Sequence, residues 1–291
     1  MRKILYIALA LIAISCERQL PIIVDGFERK LVVNAAVHSD MQLSMALSEN
    51  VDLLHEPKYR SNIHDARLIV LENGIVIHDQ IYLIDSGALG TTVQLQKGNE
   101  YELVLEAEDY PVVNAKDSMP LEEPDFRIVE RQLVDDYDEL TLELKDHDIK
   151  EYYLLELYYI SFKESNGDTT WFKEPLNFNS SEKIFISNIN TINANNHFAL
   201  FDDKLIHGGT KTMKIKYVRA DLFKYSDRTP YEVVAEMKGL SSVFFAYYLD
   251  LLENNHIYGG PLASTIQNSG NITGGLGIFG CYTRTEDRES L

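Results

Sequence analysis

Apolar and polar residues alternate with a period of two through much of the chain. Tyr101–Ala107 shows the pattern best: Tyr101, Leu103, Leu105 and Ala107 stand against Glu102, Val104 and Glu106, which predicts a strand with one packed and one largely wet face. Lys30–Val37 and Gln42–Ser48 predict two strands around a polar turn at His38–Met41. Ala66–Leu71 and Ile75–His78 flank Asn73-Gly74, a hairpin signal, and Thr91–Leu95 adds another strand. Such short strands with turns between them predict a β-sandwich of immunoglobulin or transthyretin-like type over 28–118. The segment MPLEEP, with prolines at both sides of an acidic pair, suits a linker over 119–125.

The second half, 126–291, reads as a larger β-rich domain. Phe126–Leu133, Leu140–Lys145, Tyr152–Lys163, Thr169–Phe178, Met213–Phe223 and Tyr231–Met237 are its expected strands. Asn188–Gly209 is polar and rich in asparagine, and predicts a long loop with a short turn around Phe198–Asp202. One helix is expected near 241–254: Ser241 and Ser242 can cap it, and Val243, Phe244, Tyr247, Tyr248, Leu251 and Leu252 recur at helical spacing. Its other face is not basic, which favours a buried face over a membrane surface.

The first residues follow a different pattern. In MRKILYIALALIAISC, Arg2 and Lys3 precede an apolar run that ends at Ser15 and Cys16. The run is shorter than the ~20 residues a spanning helix needs. It reads as a signal peptide over 1–15, with Cys16 as the lipid attachment site and 16–27 as a tether. Cleavage leaves about 275 residues, enough for two cores. A single acyl chain binds membranes only marginally, so stable attachment implies multiple acylation of Cys16, palmitate among its chains.

Charge narrows the partners. The formal net charge is −18, and Glu100–Glu156 holds 14 more acidic than basic residues, so nucleic acid is not an expected partner. The only cysteines are Cys16 and Cys281, which excludes a disulfide scaffold once Cys16 is acylated. Cys281, within IFGCY, reads as a small buried residue rather than a reactive thiol.

Candidate chemistry is sparse. Gly275–Gly280 matches G-x-G-x-x-G, but an apparent strand follows the glycines where phosphate binding needs a helix. Asp135-Asp136-Tyr137-Asp138-Glu139 and Asp146-His147-Asp148 could offer oxygens to calcium; without EF-hand spacing they read as solvated carboxylates. The eight histidines show no zinc spacing, and no G-x-S-x-G elbow is present. No catalytic residue, cofactor or metal is therefore expected.

The segment PLASTIQNSGNITGGLGIFGCY, Pro261–Tyr282, resembles the closing motif of a family of Bacteroidota lipoproteins, the domain of unknown function 4249. Asn271, Ile272, Gly274–Gly280 and Tyr282 fit that motif, while Gly270 and Cys281 depart from it. Lys30–Asn34, Phe201-Asp202-Asp203 and Leu240–Leu252 resemble further segments of the family. The resemblance implies an outer-membrane lipoprotein, a partner of TonB-dependent receptors. In that phylum Asp followed by Ser or Thr and then an apolar residue or Thr resembles an O-glycosylation site, making Ser118 and Thr169 candidates. Glu17-Arg18-Gln19-Leu20 lacks the acidic run that resembles a surface-export signal, so anchoring in the outer membrane is expected, with the periplasmic and surface faces both open.

The expected function is a noncatalytic, lipid-anchored accessory or ligand-binding protein of an outer-membrane uptake system. A structural or adhesive envelope protein is the alternative. A hydrolase would require carboxylates or histidines to converge in a pocket.

Overall fold

The computed structural model describes residues 28–50, 63–84, 87–165, 167–186, 197–206, 208–254 and 270–291, and the structural statements below concern these. The signal, Cys16 and the tether lie outside them. β1 (Leu31–His38) and β2 (Gln42–Glu49) are antiparallel neighbours. Their odd-numbered residues, from Leu31 to Val37 and from Leu43 to Leu47, are buried as the alternation requires. β3 (Asp65–Glu72) and β4 (Ile75–Leu83) form the expected hairpin, with Asn73 and Gly74 at φ of 49° and 79°, the left-handed pair its tight turn needs. β5 (Ala88–Gln94) returns to β2, and β6 (Glu100–Glu106) pairs with β3. β7 (Val113–Ser118) pairs with β6; periodicity does not announce it, because Asn114, Lys116, Asp117 and Ser118 interrupt the apolar pattern. The sheet β4-β3-β6-β7 and strands β1, β2 and β5 share one core, a two-layered, sandwich-like arrangement.

The second half continues with β8 (Asp125–Val134), β9 (Tyr137–Lys145), β10 (Tyr152–Ser165), β11 (Asp168–Pro175), β12 (Phe178–Asn179), β13 (Phe198–Asp202), β14 (Thr210–Val218), β15 (Thr229–Leu240), α1 (Ser242–Asn254) and β16 (Leu276–Ser290). The protein is mainly β with one α-helix among the described residues. Three expectations need correction. Phe198–Asp202 is not a turn but a strand paired with Tyr152–Glu156 of β10. Ala199 and Phe201 enter one apolar cluster and Leu200 another, so burial on both faces erases the alternation that would mark it. The expected strand Thr169–Phe178 breaks at Pro175, which has no N–H for the ladder. Met213–Phe223 ends as a strand at Val218 and continues as a 3₁₀ turn, Arg219–Phe223.

β16 occupies the middle of the largest sheet, ordered β11-β10-β15-β16-β1-β2-β5. It runs parallel to β1 from Leu276 to Tyr282 and antiparallel to β15 from Tyr282 to Ser290. Its Phe279 and Cys281 lie in the first core, whereas its neighbour β15 supplies Val233, Ala235 and Met237 to the second. The segment 119–125 lies along it: the Thr283 and Thr285 hydroxyls donate to the carbonyls of Glu122 and Pro124 at 2.7 and 2.6 Å. All these strands belong to one compact unit, Lys30–Asn50 with Ser61–Leu291. The helix buries Phe244 and Phe245 with Leu154, Leu200, Leu240 and Ile278 on the opposite face of the sheet. Among the described residues no helix is long and apolar enough to cross a membrane.

Candidate functional site

Strand alternation sends Val113, Ala115, Asp117 and Met119 inward, so an aspartate occupies a core position. Its carboxylate is fully used. Oδ2 accepts the Ser241 hydroxyl at 2.6 Å and the Cys281 N–H at 2.8 Å, and Oδ1 accepts the Ser118 N–H at 2.8 Å. Burial pushes the Asp117 pKa up to about 6 against the pull of these donors. The same burial raises the pKa of Cys281, whose thiol is inert by position.

Ser241 connects this carboxylate to the helix. Its Oγ accepts the Phe244 N–H at 3.0 Å, an N-cap bond, and its carbonyl accepts the Phe245 N–H at 2.9 Å. Asp117 thus joins β7, β16 and the start of α1.

In front of this junction lies an open cleft of about 470 Å³. Lys116–Glu122 form one wall, Ile149–Tyr152 another, and Gly239–Val243 the floor and helix entry. Leu121 and Ile149 present apolar surface at 59% and 46% exposure, beside the Lys116–Glu100 ion pair at 2.7 Å. Such a mixture of exposed apolar and paired charged groups fits recognition of an amphipathic surface or ligand.

The closing glycine motif seats the helix whose first residues line this site. At Gly277, φ is +106° and a Cβ would stand 2.0 Å from the Val33 carbonyl oxygen, so the residue must be glycine. A Cβ on Gly280 would meet the Phe244 ring at 2.4 Å, the contact that seats α1 on β16. Asn271 acts as a short strand: its amide donates to the Phe279 and Lys116 carbonyls, and its oxygen accepts the Phe279 N–H. The segment after the glycines is strand β16.

The other candidates are dispersed. Ser118 is exposed at the cleft, while Asp117 and Met119 beside it are buried, which gives the Asp-Ser-Met triplet a packing reason of its own. Thr169 is exposed on β11 opposite Glu164, away from the cleft residues in the fold. The acidic runs are not free ligand sets. Asp138 is bound by Arg131 and Arg219 at 2.8 Å and by the Tyr217 hydroxyl, Glu139 by Lys214 and Lys216, and Asp146 by the Tyr153 hydroxyl and the Gly208 N–H. No grouping of His, Cys, Asp and Glu suited to a metal occurs among the described residues. Sequence reasoning anticipated the Ser241 cap but not its link to Asp117. The available signal was an aspartate at an inward position between Ala115 and Met119.

These features define a class: a mainly β protein whose C-terminal strand lies mid-sheet and whose helix closes a cleft against it. Within that class, the chain belongs to the family described as Domain of unknown function (DUF4249), whose profile matches residues 17–288. A comparison with curated proteins gives no match. Among solved structures, the "Putative membrane anchored protein from Corynebacterium diphtheriae" is similar over 73% of this chain, at 10% identity and a TM-score of 0.21. The alignment covers 54% of that protein, and a likeness at this level carries no argument.

Proposed function

We propose that the protein is a noncatalytic, lipid-anchored accessory or ligand-binding subunit of an outer-membrane uptake system of the TonB-dependent receptor type, attached through acylated Cys16. The carrying observation is the open cleft, with Leu121 and Ile149 exposed on its walls and its buried acid committed to Ser241, Cys281 and Ser118. Groups so engaged hold a shape; exposed apolar groups with ion pairs at their rim recognise a partner. Ser118, exposed at the same place, is the position where an O-glycan would alter access to the cleft.

The test is mild detergent extraction of membranes followed by affinity capture of the tagged lipoprotein. A β-barrel receptor is expected to accompany the wild type and to be lost from a Leu121→Glu, Ile149→Glu double variant. Recovery of the wild type alone, after cross-linking in intact cells, overturns the reading.

A further inference from the structure

The cleft holds more negative charge than it neutralises. Four carboxylates line it, from Glu100, Asp117, Glu122 and Glu151, against two ammonium groups, from Lys116 and Lys150. Of the four, only Glu100 has a lysine or arginine of the described residues at hydrogen-bond distance, Lys116 at 2.7 Å. Asp117 is held by the Ser241 hydroxyl and the backbone N–H groups of Cys281 and Ser118, donors that bring no charge. Glu151 accepts the Tyr153 hydroxyl at 2.7 Å, with the His147 N–H and Nδ1 at 3.1 and 3.0 Å. Glu122 is exposed and forms no ion pair with a described residue.

Lys150 does not close the balance. Its ammonium stands 5.0 Å over the Tyr152 ring and shares its charge with Asp203 and Asp202, which lie outside the cleft. The N-terminus of α1 adds roughly half a positive charge, which still leaves the cleft negative by more than one charge. The chain as a whole acts in the same direction: at a formal net charge of −18 it draws in a cation and repels an anion.

Apolar surface stands beside these carboxylates on both walls. Leu121 adjoins Glu122 in one, Ile149 lies two residues from Glu151 in the other, and both are exposed. A bare metal ion would leave that surface unused, and no grouping suited to one occurs among the described residues. An open cleft also lets a chain run through it, which an enclosed pocket does not. Given that the cleft recognises a partner, as proposed above, we infer that it takes a basic peptide segment of that partner, a lysine or arginine flanked by apolar residues. The cation is placed among Asp117, Glu122 and Glu151, and the flanks on Leu121 and Ile149.

The test measures the affinity of capped tripeptides for the full chain in mild detergent by ligand-observed NMR, with detergent alone as the blank. At about pH 8 Asp117 is ionised, since its pKa is about 6. Leu-Arg-Leu should bind about tenfold more tightly than Leu-Gln-Leu, and Leu-Glu-Leu more weakly than either. Gly-Arg-Gly keeps the charge without the flanks and should bind about tenfold more weakly than Leu-Arg-Leu. Glu122→Gln, on an exposed side chain, should reduce the preference for arginine over glutamine about threefold. Glu122→Gln combined with Asp117→Asn leaves two carboxylates against two lysines and should abolish that preference. Circular dichroism checks that each variant folds; where the double variant does not, the loss in Glu122→Gln alone decides. Absent binding, equal binding of the three leucine peptides, Gly-Arg-Gly as tight as Leu-Arg-Leu, or an undiminished preference in Glu122→Gln each overturns the basic segment. Receptor capture is scored apart from this. Peptides that fail while a receptor is captured refute the basic segment alone, and peptides that bind as expected while no receptor is captured refute the receptor alone.

Discussion

Replacing Asp117 with asparagine should reverse its effect on stability between acid and neutral pH. The folded-state pKa of about 6 lies above the ordinary value of 3.8. Below about pH 4 both folded and unfolded chains hold the proton, and the carboxyl costs nothing. As pH rises to about 6 the unfolded chain ionises first, so the folded state binds more protons and stability falls by about 3 kcal/mol. Asparagine carries no charge and escapes this loss. It also has one accepting oxygen where aspartate has two, so one of the donors Ser118 N–H, Ser241 Oγ–H and Cys281 N–H loses its acceptor, at about 1 kcal/mol. The variant should therefore be about 1 kcal/mol less stable than wild type below about pH 4 and about 2 kcal/mol more stable at about pH 7. Urea unfolding followed by circular dichroism across this range measures the difference. Taking wild type minus variant cancels the carboxylates common to both chains. A difference that is flat, or that favours wild type increasingly as pH rises, refutes the placement of a buried carboxyl held by neutral donors alone at the helix cap.

The remaining predictions concern packing, charge and attachment. Gly280→Ala should cost about 1–3 kcal/mol through its collision with Phe244, and a Phe244→Leu partner change should recover part of it in a double-mutant cycle; additive costs would deny the contact. Asp138→Ala should cost about 3–5 kcal/mol in urea titrations, because Arg131 and Arg219 lose their shared buried partner. Burial raises the Asp138 pKa, but hydrogen bonds from Arg131, Arg219 and Tyr217 bring it below the ordinary value. Its stabilisation is thus present above the unfolded pKa and lost as pH falls through the folded one, opposite in sign to Asp117. Cys16→Ala should abolish incorporation of labelled palmitate and move the protein from the membrane to the soluble fraction; retention in membranes would locate the anchor elsewhere.

Where one face of a strand is wet, the sequence announces the strand. Tyr101–Leu105 places its tyrosine and two leucines on one face, and Asn73-Gly74 marks the hairpin that joins Ala66–Leu71 to the strand from Ile75 by backbone conformation alone. Legibility fails where both faces are buried, as at Phe198–Asp202, and where a core position is polar, as at Asp117 in β7. It fails also for pairing between distant segments. Nothing local in Leu276–Tyr282 indicates a parallel partner more than two hundred residues earlier, because parallel pairing follows from burial rather than from a turn. The cap at Ser241 was readable from its serines, but its charged neighbour approaches from 124 residues away.

The closing motif and the cleft divide their labour along that same line. Gly277 lets β16 approach the Val33 carbonyl, Gly280 admits Phe244, and Asn271 completes the hydrogen bonds of Phe279. Each of these groups acts on backbone and packing, is spent in doing so, and is not among the residues that line the cleft. A ligand or partner in the cleft would meet Lys116, Leu121, Ile149, Lys150 and Val243 instead. The glycine motif therefore fixes the frame, and on the proposed reading selectivity would reside in wall residues outside it. Exchanging Leu121 and Ile149 should change what is bound while leaving the unfolding midpoint in place. Exchanging Gly277 should lower the midpoint whatever is bound, since any other residue there is strained at φ +106° and blocked by a carbonyl 2.0 Å away.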